Sequence, residues 1–316
     1  MKIYFSSYHK YPGRLHGVAS HAVHDNLVKG LGELGHEVYY HLKEKPDRPL
    51  PSGVIYTDTR AIGADIYHIN DGDLEDVFDD KFPWVRILHC DVRLHGYELD
   101  ICKDNWIYVS ETLANLYGSS RFVHNGINPD EFIFSETKDD YLFFIVGGVN
   151  RAEMKGVEEA LSIAEKCGIR LKVAGSSDDK VELELFKSFC EKRGAEFCGP
   201  VYEKQKAELF AGAKALLFPS KFNEACPLVI SESLVSGTPV IASANGANPE
   251  LLTDDVGFIC HTEQDYLDAV SAVDSIKPSK CRAYALEHFH YLKMAKNYVL
   301  QYEHELERAK VSSSIF

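Results

Sequence analysis

Short apolar runs alternate along the whole chain with stretches whose apolar residues recur at helical spacing. "KIYFSS" at 2–7 is followed by Ala19, Ala22, Val23, Leu27, Leu31 and Leu34, which fall on one face of a helix over 18–34. Gly35 stands where such a helix ends in a left-handed residue, and "EVYYHL" at 37–42 reads as the next strand. Four more strands are expected at 64–69, 84–90, 106–110 and 121–126. Strands that alternate with helices predict a parallel, doubly wound α/β sheet.

The alternation restarts after the polar stretch "NPDEFIFSETKDD" at 128–140, read as an interdomain linker. "YLFFIVGG" at 141–148 opens a second series, followed by a helix with Val157, Ala160, Leu161 and Ala164 on one face. Strands are expected at 169–175, 215–220 and 239–244, with a helix around Leu185 and Phe189. Two Rossmann-like units in tandem fit this better than one large sheet. Near the end, Leu292, Ala295, Val299, Tyr302 and Leu306 form one apolar seam along a helix. Its flanks mix Lys and Glu, so it reads as docking on protein rather than on a membrane surface.

Composition narrows the class. A chain of 316 residues has room for about two domains, and 45% hydrophobic with 26% charged residues is a globular balance. The net charge of −14 argues against a nucleic-acid surface, which needs clustered Lys and Arg. It leaves room for a small anion held by a few N–H groups and one or two cations. The eight cysteines form no C-x-x-C pair and read as reduced thiols of a cytosolic protein. "MKIYFSSYHK" turns polar too soon for a signal peptide, and the longest apolar run, 141–149, is too short to cross a bilayer. A cytoplasmic location is expected, with at most peripheral membrane contact.

Four features carry candidate chemistry. "GLGELG" at 30–35 matches a dinucleotide fingerprint in letters, but it ends a helix instead of beginning one, so it reads as helix packing. The loop from Ser6 to His21, with Gly13, Arg14, His16 and Gly17, leads from the first strand into the first helix, where backbone can approach an anionic ligand. "DGD" at 71–73 and the pair His21 and His24 lack further ligands and read as surface and helix residues, with no metal site implied. Finally, "ALLFPSKFNEACPLVISESLVSG" at 215–237 places Glu224 in a strand-to-helix loop and Glu232 inside the helix. Pro227 suits the first helical position and Gly237 the end. The positive end of a helix dipole then lies between two carboxylates, an arrangement suited to a diphosphate flanked by hydroxyls.

This last segment, extended to Leu252, resembles the retaining glycosyltransferases of family 4 (group 1 type), with P-S, E-x₇-E, G-x-P-V-I and a glycine loop ending in Glu. "VHNGINPDEF" at 123–132, "VGGVNRAEMKG" at 146–156 and "FCGPV" at 197–201 resemble further family segments, as do 17–38, "ADIYHI" and "ILHCD". The resemblance implies the GT-B fold: two Rossmann-like doubly wound domains facing a central cleft, with a C-terminal helix crossing back. The expected domains are 1–135 on the acceptor side, 136–285 on the nucleotide-sugar side, and a helix over 286–316 packing on the first.

The resemblance also implies roles. Glu232 binds the donor ribose, Glu224 contacts the donor sugar, and the backbone around Ala225, Cys226, Pro227 and Leu228 meets its hydroxyls. Lys155 neutralises the diphosphate, with Gly148, Arg151 and Gly17 at the donor and His89 on the acceptor side of the sugar. Arg151 precedes Lys155 by four residues, where the family pattern has five or six. The implied reaction moves a sugar from a UDP- or GDP-linked donor to the hydroxyl of a saccharide, lipid-linked or small-molecule acceptor. It retains configuration and needs no catalytic metal or other cofactor. A nucleotide-sugar epimerase of the same fold, a non-catalytic sugar-nucleotide-binding subunit and a nicotinamide-dependent oxidoreductase stay open as alternatives.

Overall fold

The computed structural model describes residues 1–7, 9–13, 19–59, 63–70, 82–98 and 103–313. Twelve strands are present: β1 (Lys2–Ser6), β2 (Glu37–His41), β3 (Val54–Thr57), β4 (Ile66–Ile69), β5 (Trp84–Leu88), β6 (Trp106–Tyr108), β7 (Tyr141–Val146), β8 (Arg170–Gly175), β9 (Glu196–Gly199), β10 (Ala215–Phe218), β11 (Val240–Ser243) and β12 (Gly257–Cys260). The α-helices among the described residues are α1 (Ala19–Glu33), α2 (Glu111–Leu116), α3 (Val157–Cys167), α4 (Lys180–Lys192), α5 (Glu203–Gly212), α6 (Leu228–Val235), α7 (Asn248–Leu251), α8 (Glu263–Ala272), α9 (Pro278–His288) and α10 (Tyr291–Ser313).

The chain forms two compact units. Unit 1 comprises Met1–Ile127 and Phe289–Phe316, and unit 2 comprises Asn128–His288. Unit 1 holds a six-stranded sheet in the order β3-β2-β1-β4-β5-β6, and unit 2 one in the order β12-β11-β10-β7-β8-β9. All pairings within both sheets are parallel. In each sheet the first strand lies beside the fourth, so the order reverses there. The crevice at the carboxyl ends of the strands beside such a reversal is where open α/β sheets bind ligands.

Central strands covered by helices on both faces must be apolar throughout. β4, β5, β10 and β11 are buried at every position. In unit 2, Leu142, Phe144, Leu217 and Ile241 from the sheet close one core with Ala160, Leu161 and Ala164 of α3. The expected strand at 121–126 is reduced to a single bridge between Tyr108 and Phe122. Its one pairing with β6 is made by Tyr108 N–H to the Arg121 carbonyl and Val123 N–H to the Tyr108 carbonyl.

The chain leaves unit 1 at Ile127 and re-enters at Phe289, and the two passages are bonded: Ile127 N–H donates to the Phe289 carbonyl and Tyr291 N–H to the Ile127 carbonyl. The returning α10 packs on α1. Its buried stripe is Tyr291, Met294, Ala295, Tyr298, Tyr302 and Glu305. That stripe lies one position to the side of the seam expected from Leu292, Val299 and Leu306, which are half-buried at its margin. Three tyrosines outcompete the smaller aliphatic residues because a ring buries more area. Glu305 is tolerated there because Arg121 and Arg308 reach it at 3.2 and 2.6 Å.

"GLGELG" is indeed a helix-packing element. A Cβ on Gly30 would stand 2.7 Å from Cβ of Ala295, and one on Gly32 would stand 2.1 Å from the Ser52 carbonyl oxygen. Gly35 takes φ 85° at the end of α1. Gly30→Val is therefore expected to wedge α1 from α10 and destabilise the protein by about 1–3 kcal/mol, the usual cost of overpacking. Gly63→Val, where an added Cβ meets nothing within 4 Å, is the control. Equal thermal midpoints for the two variants would contradict the close helix contact.

Candidate functional site

In unit 2 the sheet order reverses between β7 and β10, and the loops after these two strands carry Lys155 and Glu224. They touch through a glycine. Gly156 takes φ 83°, and a Cβ there would lie 2.1 Å from the Pro219 carbonyl oxygen. Lys221 N–H bonds the Met154 carbonyl at 2.9 Å and closes the same contact. Lys155 is thereby held over the rings of Phe222 and Phe218, 5.2 and 6.0 Å from their centroids. Its Nζ reaches Oε1 of Glu224 at 2.5 Å.

Glu224 is 6% exposed, and a carboxylate so far from water needs compensation. Beside Lys155, the Ser220 hydroxyl donates to the same Oε1 at 2.5 Å. Ser220 is itself fixed: its carbonyl accepts from the Ser243 hydroxyl at 2.6 Å and from Asn245 Nδ2 at 2.7 Å. The loop after β11 then closes on the glutamate backbone, with Ala247 N–H donating to the Glu224 carbonyl at 2.7 Å. Gly246, at φ 59°, permits this approach, since a Cβ would come within 2.2 Å of the Glu224 nitrogen.

Pro227 precedes α6 as its N-cap, with ψ 121°, and the helix starts at Leu228. The expected N1 position for Pro227 is thus shifted by one residue, because the extended ψ keeps it outside the helix. Ala225, Cys226, Pro227 and Leu228 are half-buried along the approach to this helix start. Glu232 lies one turn further in and is 7% exposed. Its Oε1 takes Lys206 Nζ at 2.6 Å, whereas Oε2 is buried with no hydrogen-bond partner. A buried carboxylate oxygen without a donor is costly, and a hydroxyl group is the kind of donor that would satisfy it.

The two glutamates are therefore each ion-paired, to different lysines. Arg151 ends a 3₁₀ turn over Val149–Arg151 that Gly148 precedes, and its side chain is exposed with no ion-pair partner among the described residues. The Arg151 carbonyl accepts from Lys155 N–H at 3.0 Å, so the two cations stand one turn apart. Gly17 and "DGD" at 71–73 lie outside the described residues. Lys206 was not legible beforehand: it is 26 positions from Glu232 and belongs to no recognisable spacing. Ser220 was visible only as the end of a strand.

His89 sits in unit 1, just past β5, before a turn that Asp91 caps by accepting from Arg93 N–H at 3.0 Å. The Arg93 guanidinium and, at 3.0 Å, the Tyr117 hydroxyl also hold Asp91. His89 Nε2 meets Nε2 of His24, a residue of α1, at 2.8 Å. His24 and His68 both pack against the Phe5 ring, and His89 packs against His24. Burial holds the His24 pKa well below the ordinary 6.5 and, acting before the neighbouring histidines, lowers His68 to about 3 and His89 to about 4. No group of three or more His, Cys, Asp or Glu among the described residues is arranged to hold a metal ion. No disulfide joins the seven described cysteines, and no described helix is long and apolar enough to cross a membrane.

Comparison with known proteins agrees with this architecture. The family model of the glycosyl transferases group 1 matches residues 128–288, about half of the chain, and the chain belongs to that family. No curated protein matches it. Among solved structures it is similar to AviGT4, a glycosyltransferase involved in avilamycin A biosynthesis: 22% identity, TM-score 0.77, covering 97% of this chain and 98% of that one. It is also similar to sucrose-phosphate synthase from Thermosynechococcus elongatus (16% identity, TM-score 0.74, 96% and 98% covered). HepE from Anabaena, solved with UDP and glucose, matches with 13% identity, a TM-score of 0.68, and 95% and 98% covered. The fold is that of the GT-B glycosyltransferases, an α/β protein of two parallel-sheet domains.

The buried histidines make a stability prediction. Unfolded, they protonate near 6.5; folded, His89 does so near 4 and His68 near 3. Between those values the unfolded chain binds more protons, so stability falls as pH falls below about 6.5. Each histidine contributes about 1.4 kcal/mol per pH unit once the unfolded chain is charged. Calorimetric unfolding from pH 7 to 5, above most carboxylate titration, is expected to show this loss, and His68→Gln to lessen its slope. A flat midpoint over that range would contradict the buried neutral rings.

Proposed function

We propose that the protein is a retaining glycosyltransferase of family 4, transferring a sugar from a UDP- or GDP-linked donor to an acceptor hydroxyl without a catalytic metal. The observation that carries this reading is the pair of buried carboxylates at the carboxyl ends of the unit 2 strands, one bonded to Lys155 and one with an unsatisfied oxygen. HepE, a protein of similar fold, has been solved with UDP-glucose, and that precedent supports a nucleotide sugar as donor.

In this reading Oε2 of Glu232 takes a ribose hydroxyl of the nucleotide, while Lys206 holds the other carboxylate oxygen in place. The diphosphate lies toward the start of α6, where the first N–H groups lack intrahelical partners and the dipole is positive. Lys155 and Arg151, with Gly148 beside them, balance its charge as it leaves. Glu224 and the backbone from Ala225 to Leu228 orient the transferred sugar. The acceptor hydroxyl attacks the anomeric carbon from the face the diphosphate leaves, so no enzyme nucleophile is required. His89 serves the acceptor side. The product belongs to glycoconjugate or surface-saccharide synthesis on the cytosolic side.

The two glutamates separate experimentally. Glu232→Ala is expected to weaken nucleotide diphosphate affinity by about tenfold or more, the worth of a charge-assisted hydrogen bond. Glu224→Ala is expected to depress turnover more than donor binding. Binding measured by calorimetry and transfer measured by release of the nucleoside diphosphate check this split. Unchanged nucleotide affinity in Glu232→Ala would overturn the ribose assignment.

A further inference from the structure

Glu232 and Lys206 stand on two helices of unit 2, α6 and α5, that are pinned to each other. Lys138 Nζ donates to the Ala211 carbonyl of α5 at 2.9 Å and to the Ser236 carbonyl, just past α6, at 3.1 Å. It also donates to Thr238 Oγ1 at 2.8 Å, and the Thr238 hydroxyl donates to the Phe210 carbonyl at 2.5 Å. Lys206 lies one turn before Phe210, with Nζ 5.9 Å from the centroid of that ring. Phe210 is fully buried and packs in a T-shape on Phe143 of β7, with centroids 5.1 Å apart. Helices tied in this way hold the 2.6 Å contact between Lys206 Nζ and Glu232 Oε1 at a fixed place.

Within the protein this pair leaves hydrogen-bonding capacity unused on both sides. Glu232 is 7% exposed, and its buried Oε2 takes no donor among the described residues. The hydroxyls of α6 and its end are committed to backbone instead. Ser231 donates to the Leu228 carbonyl at 2.9 Å, Ser233 to the Thr238 carbonyl at 2.9 Å, and Ser236 to the Glu232 carbonyl at 3.0 Å. Lys206 Nζ makes one hydrogen bond among the described residues, to Oε1, although a lysine nitrogen carries more than one N–H. The Lys206 side chain is 27% exposed and that of Glu232 9%, so the lysine is the more open end of the pair.

An open acceptor and an open donor therefore stand side by side. A phosphate would set acceptor against acceptor at Oε2, and a single hydroxyl would leave half of the pair unused. Two adjacent hydroxyls match it: one donates to Oε2 and its neighbour accepts from Nζ. We infer that Glu232 and Lys206 read the adjacent ribose hydroxyls of the nucleotide as a pair, one hydroxyl held by each residue. The inference rests on the proposed donor, which places a ribose at Glu232, and it adds Lys206 as a residue that sets specificity.

The two hydroxyls are not equivalent in this arrangement. Without the one on Oε2, a buried acceptor is left unpaired, which is the costly case. Without its neighbour, Nζ is left on the more open side, where water can replace the lost partner. A site built to bond a hydroxyl rejects the analogue that lacks it. Two unequal penalties are thus expected, the larger belonging to Glu232 and the smaller to Lys206.

Calorimetric titration of the full chain in EDTA with UDP, GDP and the 2′-deoxy and 3′-deoxy forms of each tests the pair. The wild type is expected to bind the parent nucleotide more tightly than both deoxy forms. The ratio is about tenfold or more for one form and about threefold or more for the other, the range for hydrogen bonds with and without a charged partner so buried. Lys206→Met and Lys206→Leu both keep an apolar side chain beside Phe210. Either variant is expected to bring the smaller ratio to about one and to leave the larger near its wild-type value. A uniform loss for all three ligands, with both ratios kept, would make Lys206 a scaffold residue and overturn the proposal. Equal wild-type affinity for the parent and either deoxy form would overturn it as well, with the donor reading intact. If neither UDP nor GDP binds, the donor reading fails and the proposal falls with it.

Discussion

The contact between Gly156 and the Pro219 carbonyl is the constraint on which the unit 2 site depends. It is a backbone contact that no side chain could share, and it sets the loop after β7 directly on the loop after β10. From it follows the Lys155–Glu224 ion pair at 2.5 Å, and from that pair follows the tolerance of a carboxylate that is nearly without water. Removing one partner of such a pair strands the other, which is why Ser220, Asn245 and Gly246 are all committed to holding it. The same crevice leaves one carboxylate oxygen of Glu232 unsatisfied. Rigid pairing on one side and an open valence on the other are what a binding site for a polyhydroxyl anion requires.

Unit 1 uses the equivalent position in its own sheet differently. The carboxyl ends of β1 and β5 carry Ser7, His9 and His89, and α1 supplies His24 and Asp25. Here burial disfavours charge on the rings of His24, His68 and His89, and Asp25 meets His9 at the far side of the cluster. The tail helix contributes to the same interior: Tyr302 reaches Nδ1 of His68 at 2.6 Å. α10 is thus part of the fold of unit 1, joined to it beside the passage at Ile127.

Much of this was legible in the sequence, and the gaps have physical causes. The alternation of apolar runs with helical faces revealed the central strands, because strands buried on both sides must be apolar without interruption. The strands not foreseen were β3, β9 and β12. All three lie at sheet edges and are four residues long, with half-exposed positions that break any apolar run. The E-x₇-E spacing located Glu224 and Glu232 because both sit within one strand–loop–helix segment. Lys206, 26 positions from its partner, and Asp25, 16 from His9, are brought in by tertiary folding that no local spacing records. "RFVHNG" had strand composition but only one bridge's worth of partner.

The central claim is that unit 2 binds a nucleoside diphosphate through these side chains and helix start, without a metal. The most direct measurement is a calorimetric titration of UDP, GDP and their common sugar conjugates into the protein in EDTA, with NAD as control. Saturable binding of one nucleoside diphosphate in EDTA, and none of NAD, is the predicted result. Binding of NAD alone, or nucleotide binding that appears only when a divalent metal is added, would contradict the account.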